Sequence, residues 1–379
     1  MTTRVHRSCH AKVNLMLSVG PPMAAGTIEG GVVGGKDVSG FHAIASWMAP
    51  IDLADDLIVE RVEGDAGAKS RFEITFAPDA PRVERVDWPL ERDLVFRAHA
   101  ALEQKVGAAL PVAVTLRKRI PTRSGLGGGS SDAAGMLMAA REAFPEHAAA
   151  LTDDVLTRIA MSLGSDVAYF LDTREGAAAG HVGSTAHAPR HALVSGFGER
   201  IERVQGVEGR ILLVVPGVSC GTGAVYAAFD RRLVAEAPLR QRTGGQREPS
   251  LEPKVEMIRQ RHARALEQGP RADHFFNDLA KPAFDVEPRL GTLATAIASM
   301  TRLATHVTGS GSCLFVWPEG SEIGRRGEAE LKSGARSQRD SVDHARFEKA
   351  REKVDAAAQA WAQGNATTAL VRETRVLAP

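Results

Sequence analysis

Residues 120–140 read IPTRSGLGGGSSDAAGMLMAA, a glycine-rich turn at the mouth of a helix. Upstream, PVAVTLRKRIP has the β-branched residues of a strand and ends at Pro121; downstream, an alanine-rich run has the composition of a helix reaching about Phe144. Glycines at 125, 127, 128 and 129 let the backbone reach positive φ and come close to a ligand, leaving amide N–H groups free to converge on one anion. The helix N-terminus adds partial positive charge to those amides. Together they suit a polyphosphate. The spacing departs from two commoner phosphate-binding patterns. A P-loop requires Gly-Lys-Ser/Thr and a dinucleotide fingerprint requires glycine at position 130, where this chain has Ser130. Without a ligand, the same residues would form a flexible turn with a capping serine.

The totals favour a small-molecule protein. At 379 residues the chain is long enough for two domains, each with its own core. Its 47 basic and 46 acidic residues leave a formal charge of +1, with no block of one sign to suggest nucleic acid or a membrane surface as partner. Cys9, Cys220 and Cys313 are widely spaced and an odd number, so free thiols in a reducing compartment are expected. The first 20 residues hold only the short apolar stretch VNLML and lack the h-region of a secretory signal, and no apolar run approaches the roughly 18–20 residues of a membrane span. A cytoplasmic protein is expected.

Along the chain, HAKVNLMLSV (10–19), DDLIVERV and RFEITFAP read as strands, with a Gly/Pro-rich loop at 20–38 between the first two. DLVFRAHAALEQKVG (93–107) has helical periodicity and closes on Gly107; TDDVLTRIAMSLG opens with an acidic turn and closes on Gly164. RILLVVPGVSCGTGAVYAAF (210–229) reads as strand, turn and helix start, and THVTGSGSCLFVW (305–317) as a strand carrying a second glycine turn. A helix at about 346–362 and the strand TTALVRETRVL end the chain. Segments 173–198, 231–272 and 319–345 are weakly patterned or charged and read as solvated insertions, the second with some helix. Strands and helices alternate without regular β-α-β order, so the class is α+β.

IPTRSGLGGGSSDAAG resembles the phosphate-binding motif of the GHMP kinases. Further stretches resemble that family's other elements in its order: AKVNLML (11–17), SGFHAI (39–44), GSDVAYFL (164–171), PGVSCGTGAVY (216–226), FFNDLAKPA and VTGSGSCLFV. The three-glycine form followed by SSDAA is most similar to the branch that acts on a cytidylylated methylerythritol in non-mevalonate isoprenoid synthesis. The resemblance implies two domains: residues 1–206 with a ribosomal S5 domain 2-like fold, and residues 207–379 with a ferredoxin-like fold, the site lying between them.

It further implies ATP-dependent phosphorylation of an alcohol, with Mg²⁺ bridging the β- and γ-phosphates. By the resemblance, Pro121, Gly125, Leu126, Gly127, Gly128, Gly129, Ser130 and Ser131 hold the nucleotide. Asp166 matches the catalytic aspartate, which orients the attacking hydroxyl and takes its proton late in transfer, and Lys12 the lysine that offsets charge beside it. Read alone, each would pass for an edge-strand cation and a turn residue. Asn14, Phe41, His42, Thr222 and Tyr226 match substrate contacts, with Phe41 and Tyr226 as the two rings that stack on the pyrimidine. Aromatics make up only 5% of the chain, with two tyrosines, so two rings at both motif positions are informative. A kinase of the same fold for homoserine, mevalonate or a sugar would need no such rings, and a non-catalytic sensor would need neither Lys12 nor Asp166. The chain departs from the family pattern at Ser39 and Phe41, where the motif has Asp and Tyr, and at Asp93, where it has Asn.

Overall fold

The computed structural model describes residues 3–23, 32–33, 36–37, 40–63, 68–172, 188–242, 251–318 and 336–377. Ser39, and most of the segments at 20–38 and 173–198, lie outside them. In the first part of the chain, β1 (Arg4–Pro22) and the short pair β2 (Val32–Val33) and β3 (Lys36–Asp37) precede β4 (His42–Arg61) and β5 (Arg71–Phe76). Then come α1 (Leu94–Val106), β6 (Val112–Lys118), α2 (Gly128–Ala143), α3 (Asp153–Leu163), α4 (Val167–Phe170), β7 (Ala192–Gly196) and β8 (Arg200–Arg203). In the second part, β9 (Gly209–Pro216) leads into α5 (Thr222–Arg242), α6 (Leu251–Gln268), β10 (Phe276–Asn277), α7 (Ala280–Val286) and α8 (Pro288–Thr301). β11 (Thr305–Val307), β12 (Leu314–Val316), α9 (Arg336–Gly364) and β13 (Ala369–Val376) complete it.

β4 organises the sheet. One of its edges pairs antiparallel with β1 over nearly its whole length. The other is shared by β7 at Ile44–Met48, by β13 at Ile51 and by β6 at Asp56–Arg61. In the second part, β9, β11, β12 and β13 pair antiparallel, the last strand beside the first, then the third, then the second. With helices between the first two strands and before the last, this is the ferredoxin-like arrangement. The expected boundary near residue 206 falls in the link between β8 and β9 (204–208), while the sheet runs on through the contact of Val376 with Ile51.

Burial patterns explain how β1 presents its polar residues. Val5 and Cys9 face the core under α2, Ala11, Val13 and Leu15 face the opposite core, and Leu17 and Val19 return to the first. A regular strand cannot switch faces in this way, because its side chains alternate with period two. The switches occur where the pairing register shifts, between His10 and Lys12 and between Asn14 and Met16. Each bulge reverses the parity. Lys12 and Asn14, caught between the two, therefore point to the α2 side although apolar neighbours flank them.

Two histidines, His191 buried and His306 half-buried, tie the fold to pH. His191 lies between the Trp47 indole N–H, 3.2 Å from Nδ1, and the Leu377 carbonyl, 2.7 Å from Nε2, which fixes a neutral tautomer. Burial pushes His191 down to about 4, and it does the same to His306, packed against Phe275 and Phe315. The unfolded chain takes up protons near the ordinary value of 6.5, whereas the folded protein does so only near pH 4. The stability that neutral burial confers is thus complete above about pH 6.5 and is lost as pH falls towards 4, by up to about 3 kcal/mol per histidine. Urea unfolding at pH 7.5, 6 and 5 is expected to show the midpoint falling. In the His306→Leu protein the fall should be smaller, since no imidazole then awaits a proton at that position.

Candidate active site

The glycine stretch lies between β1 and the turn joining β11 to β12. The Lys12 amide donates to the Leu126 carbonyl at 2.9 Å, and the Cys313 amide donates to the Ser124 carbonyl at 3.1 Å. Gly125 has φ +79°, and a Cβ there would stand 2.1 Å from the Thr308 carbonyl oxygen; Gly127 has φ +75°, with Phe170 and the Lys12 chain about its α-carbon. Only glycine meets both the dihedral and the space. Gly125→Ala is therefore expected to push the two loops apart and abolish nucleotide-dependent thermal stabilisation, whereas Gly129→Ala, with nothing nearer than Leu94 at 3.6 Å, should retain it.

Gly127 caps α2 without a side-chain hydrogen bond. The first helical bond runs from the Ser131 amide to the Gly127 carbonyl at 2.9 Å. The amides of Gly128, Gly129 and Ser130 thus have no helical acceptor and stand at the positive end of the helix. They open into a cavity of about 1280 Å³. Pro121, Gly125, Gly127, Gly128, Gly129 and Ser130 line it, as do Lys12, Asn14, Phe41, His42, Asp166, Thr222 and Tyr226. Leu126 and Ser131, expected to touch nucleotide, are instead buried outside its lining. Leu126 is an apolar anchor for the loop, and Ser131 already lies within the first helical turn.

Lys12 is almost wholly buried. Its ammonium donates to Asn14 Oδ1 at 2.6 Å and to the Gly125 carbonyl at 3.0 Å, and lies 3.3 Å from Asp166 Oδ2. Asn14 is held in turn by Ser46 Oγ at 2.8 Å and, through its amide, by Thr308 Oγ1 at 3.0 Å. Asp166 sits at the start of α4 with its side chain 27% exposed to the cavity. One ammonium thus joins the glycine loop to the carboxylate.

Elsewhere in the cavity lining, Phe41 is exposed and Tyr226 half-buried on α5. Burial, reinforced by the charge on Asp166, pushes the Tyr226 phenol up to about 12, so it keeps its proton. The His42 ring is tilted 41° to Tyr226 at 4.9 Å, with Nδ1 at 2.9 Å from the Gly20 carbonyl. Thr222 Oγ1 meets Ser310 Oγ at 3.0 Å. The Asp93 departure has a local cause: its carboxylate caps α1 at the Val95 amide and accepts the Trp88 indole N–H at 2.9 Å.

Several supporting groups carry little signal in the sequence. Asn277 braces the β11–β12 turn by donating to the Val307 and Gly309 carbonyls. Beneath α2, Lys118 donates to Asp55 at 2.6 Å and to Asp132 at 2.5 Å, all three being buried. Burial alone would depress the Lys118 ammonium, but the carboxylates of Asp132 and Asp55 outweigh it and hold it above the usual lysine range. Asp55 also accepts the amides of Arg119 and Ile120. Among the described residues Asp132 Oδ1 has no partner, and burial raises its carboxyl well above the usual range.

Among the described residues no group of three or more His, Cys, Asp or Glu could hold a metal ion. A Mg²⁺ carried in on nucleotide phosphates needs only one or two protein oxygens. The cavity offers the Asp166 carboxylate and Ser130, which fits that requirement. No helix among these residues is long and apolar enough to cross a membrane, and the three cysteines are buried and free.

Residues 93–173, from the α1 cap through the glycine loop to the end of α4, match the family profile of the GHMP kinases N terminal domain. Over 314 residues the chain is 31% identical to 4-diphosphocytidyl-2-C-methyl-D-erythritol kinase from Caulobacter sp. (strain K31), covering 80% of this chain and 86% of that protein. The chain belongs to that kinase family. A member of the family from Anaeromyxobacter sp. (strain Fw109-5) is 29% identical over 82% of this chain and 81% of its own. One from Symbiobacterium thermophilum is 34% identical over 59% of this chain and 63% of its own. A crystal structure of 4-(cytidine 5'-diphospho)-2C-methyl-D-erythritol kinase superposes with a TM-score of 0.58 at 25% identity, covering 98% of this chain and 100% of that one. The L. major mevalonate kinase shares the fold at 13% identity and a TM-score of 0.56, covering 100% of this chain and 97% of its own. The α+β GHMP kinase fold expected from the sequence is the one observed.

Proposed function

We infer that the protein transfers the γ-phosphoryl group of ATP to the 2-hydroxyl of 4-diphosphocytidyl-2-C-methyl-D-erythritol, in the cytoplasm, as a step of non-mevalonate isoprenoid synthesis. The observation that carries this is the Lys12–Asp166 pair, 3.3 Å apart, lining one cavity together with Gly128, Gly129 and Ser130 at the α2 N-terminus and with Phe41 and Tyr226. Family membership supplies the acceptor; the free thiols fit a reducing compartment.

In this reading the Gly128, Gly129 and Ser130 amides hold the phosphate tail, and the hydroxyl of the acceptor lies against Asp166. The oxygen forms its bond to γ-phosphorus as the bond to the β-phosphate oxygen breaks. Its proton passes to Asp166, and ADP leaves. The Lys12 ammonium compensates charge on the moving phosphoryl oxygens from a site that water does not reach, where a fixed cation is most effective. Asp166 and Ser130 would hold a Mg²⁺ entering with the nucleotide, which would supply further neutralisation of phosphate charge. Phe41 and Tyr226 hold the cytosine, and Asn14 and Thr222 give polar contacts to the acceptor. An ADP-release assay is expected to show turnover with the cytidylylated acceptor and none above background with mevalonate or homoserine. Turnover of either of those in its place would refute the assignment.

A further inference from the structure

Asp230 lies one helical turn beyond Tyr226 on α5, on the same face, and lines the same cavity. Its Oδ1 is buried and has no hydrogen-bond partner among the described residues, although the side chain as a whole is 40% exposed. The atom facing Oδ1, at 3.4 Å, is His42 Nε2. His42 Nδ1 is turned to the Gly20 carbonyl at 2.9 Å, and since a carbonyl only accepts, Nδ1 carries the hydrogen. No donor among the described residues meets Oδ1 with hydrogen-bond geometry, and a buried acceptor left in that state is costly.

The missing hydrogen can come from a ligand. The His42 ring packs against Tyr226 and, edge-on, against Phe229 at 5.7 Å, so Asp230 Oδ1, which faces His42, stands beside the Tyr226 ring assigned to the base. A flat heterocycle stacked on that ring, with an exocyclic amino group on its edge, would bring an N–H donor to Oδ1. A ring with a carbonyl at the same place would set a second acceptor against it. Cytosine is the first kind of base and uracil the second.

We propose that Asp230 is a specificity-determining residue that accepts a hydrogen bond from the exocyclic amino group of the acceptor's cytosine and thereby excludes the uridine analogue. This rests on the cytidylylated acceptor assigned above. A site built to bond an N–H group rejects an analogue lacking it because its own polar atom is left unpaired.

The test compares kcat/KM for the cytidylylated acceptor and its uridylylated analogue in the wild-type protein and in Asp230→Asn, whose amide can turn to donate to a carbonyl. The wild-type ratio is expected to favour cytidine by about tenfold to a hundredfold, and the Asn variant should bring it near or below unity. A second measurement needs no variant: calorimetry on the wild-type protein should show CDP binding tighter than UDP by a similar factor. An Asn variant that keeps the wild-type ratio, or equal affinities for CDP and UDP, would overturn the inference and leave Asp230 as an internal partner of His42. Loss of turnover with both acceptors in the wild-type protein would instead strike the functional reading itself, and the inference with it.

Discussion

Asp166→Asn is expected to lower kcat by about 10²–10⁴, the range for removing a positioned general base, equivalent to about 3–5 kcal/mol of transition-state stabilisation. Asparagine keeps the size and one acceptor oxygen of the side chain, so the hydroxyl can still be held but has no group to take its proton. The loss should fall on kcat and kcat/KM alike, with KM for both substrates little changed. Asp166 is partly exposed at the head of the short α4, yet it is the carboxylate beside the buried Lys12 ammonium, so the melting temperature should fall modestly while the fold is kept. Steady-state kinetics with a melting curve on the same sample distinguishes this from a folding defect.

Lys12→Met is expected to act on both activity and stability. The aliphatic stem is replaced almost isosterically, but the ammonium that serves Asn14 Oδ1, the Gly125 carbonyl and Asp166 is gone. Buried acceptors left without a donor cost about 1–3 kcal/mol each. The melting temperature should therefore fall even in the absence of substrates. The activity loss should be about 10²–10³ or more, the scale for removing one preorganised stabilising group. A variant that lost activity while melting at the wild-type temperature would mean that Lys12 does not brace the glycine loop in the way the hydrogen bonds indicate.

The two substitutions separate what could be read in the sequence from what could not. Lys12, Asp166 and the glycine stretch were legible because each belongs to a short motif whose residue types are needed for the chemistry. Their meeting was implied by the family resemblance alone and not by the residues themselves, because it depends on two bulges in β1, and a bulge leaves no mark in the hydrophobic alternation beyond one residue out of phase. Thr308 and Ser46, which hold Asn14, are common residue types with no pattern around them. Lys118, Asp55 and Asp132 lie in three separate elements, and only folding makes them one buried cluster.

Among the elements, α1, α2 and α3 match the expected spans closely, since each has a cap and a clear apolar period. α8 escaped notice because its run of Ala, Thr and Gly291 blurs the helical period, and β7 and β8 because they are short and adjoin a Gly- and His-rich segment. THVTGSGSCLFVW proved to be two strands, β11 and β12, on either side of its glycine turn. The stretch 231–272, read as an insertion with some helix, carries α6, which is not merely solvated: Ile258 and Ala265 are buried in the same core as Trp47. Its many charges concealed a narrow apolar stripe.

The most direct test of the central claim is a crystal structure of the protein with a non-hydrolysable ATP analogue and the cytidylylated acceptor. The terminal phosphate should lie within hydrogen-bonding distance of the amides at Gly128, Gly129 and Ser130. The acceptor's 2-hydroxyl oxygen should stand about 2.6–3.2 Å from an Asp166 carboxylate oxygen and about 3–3.5 Å from the terminal phosphorus. A complex with the phosphates away from the α2 N-terminus, or with that hydroxyl out of reach of Asp166, would contradict it.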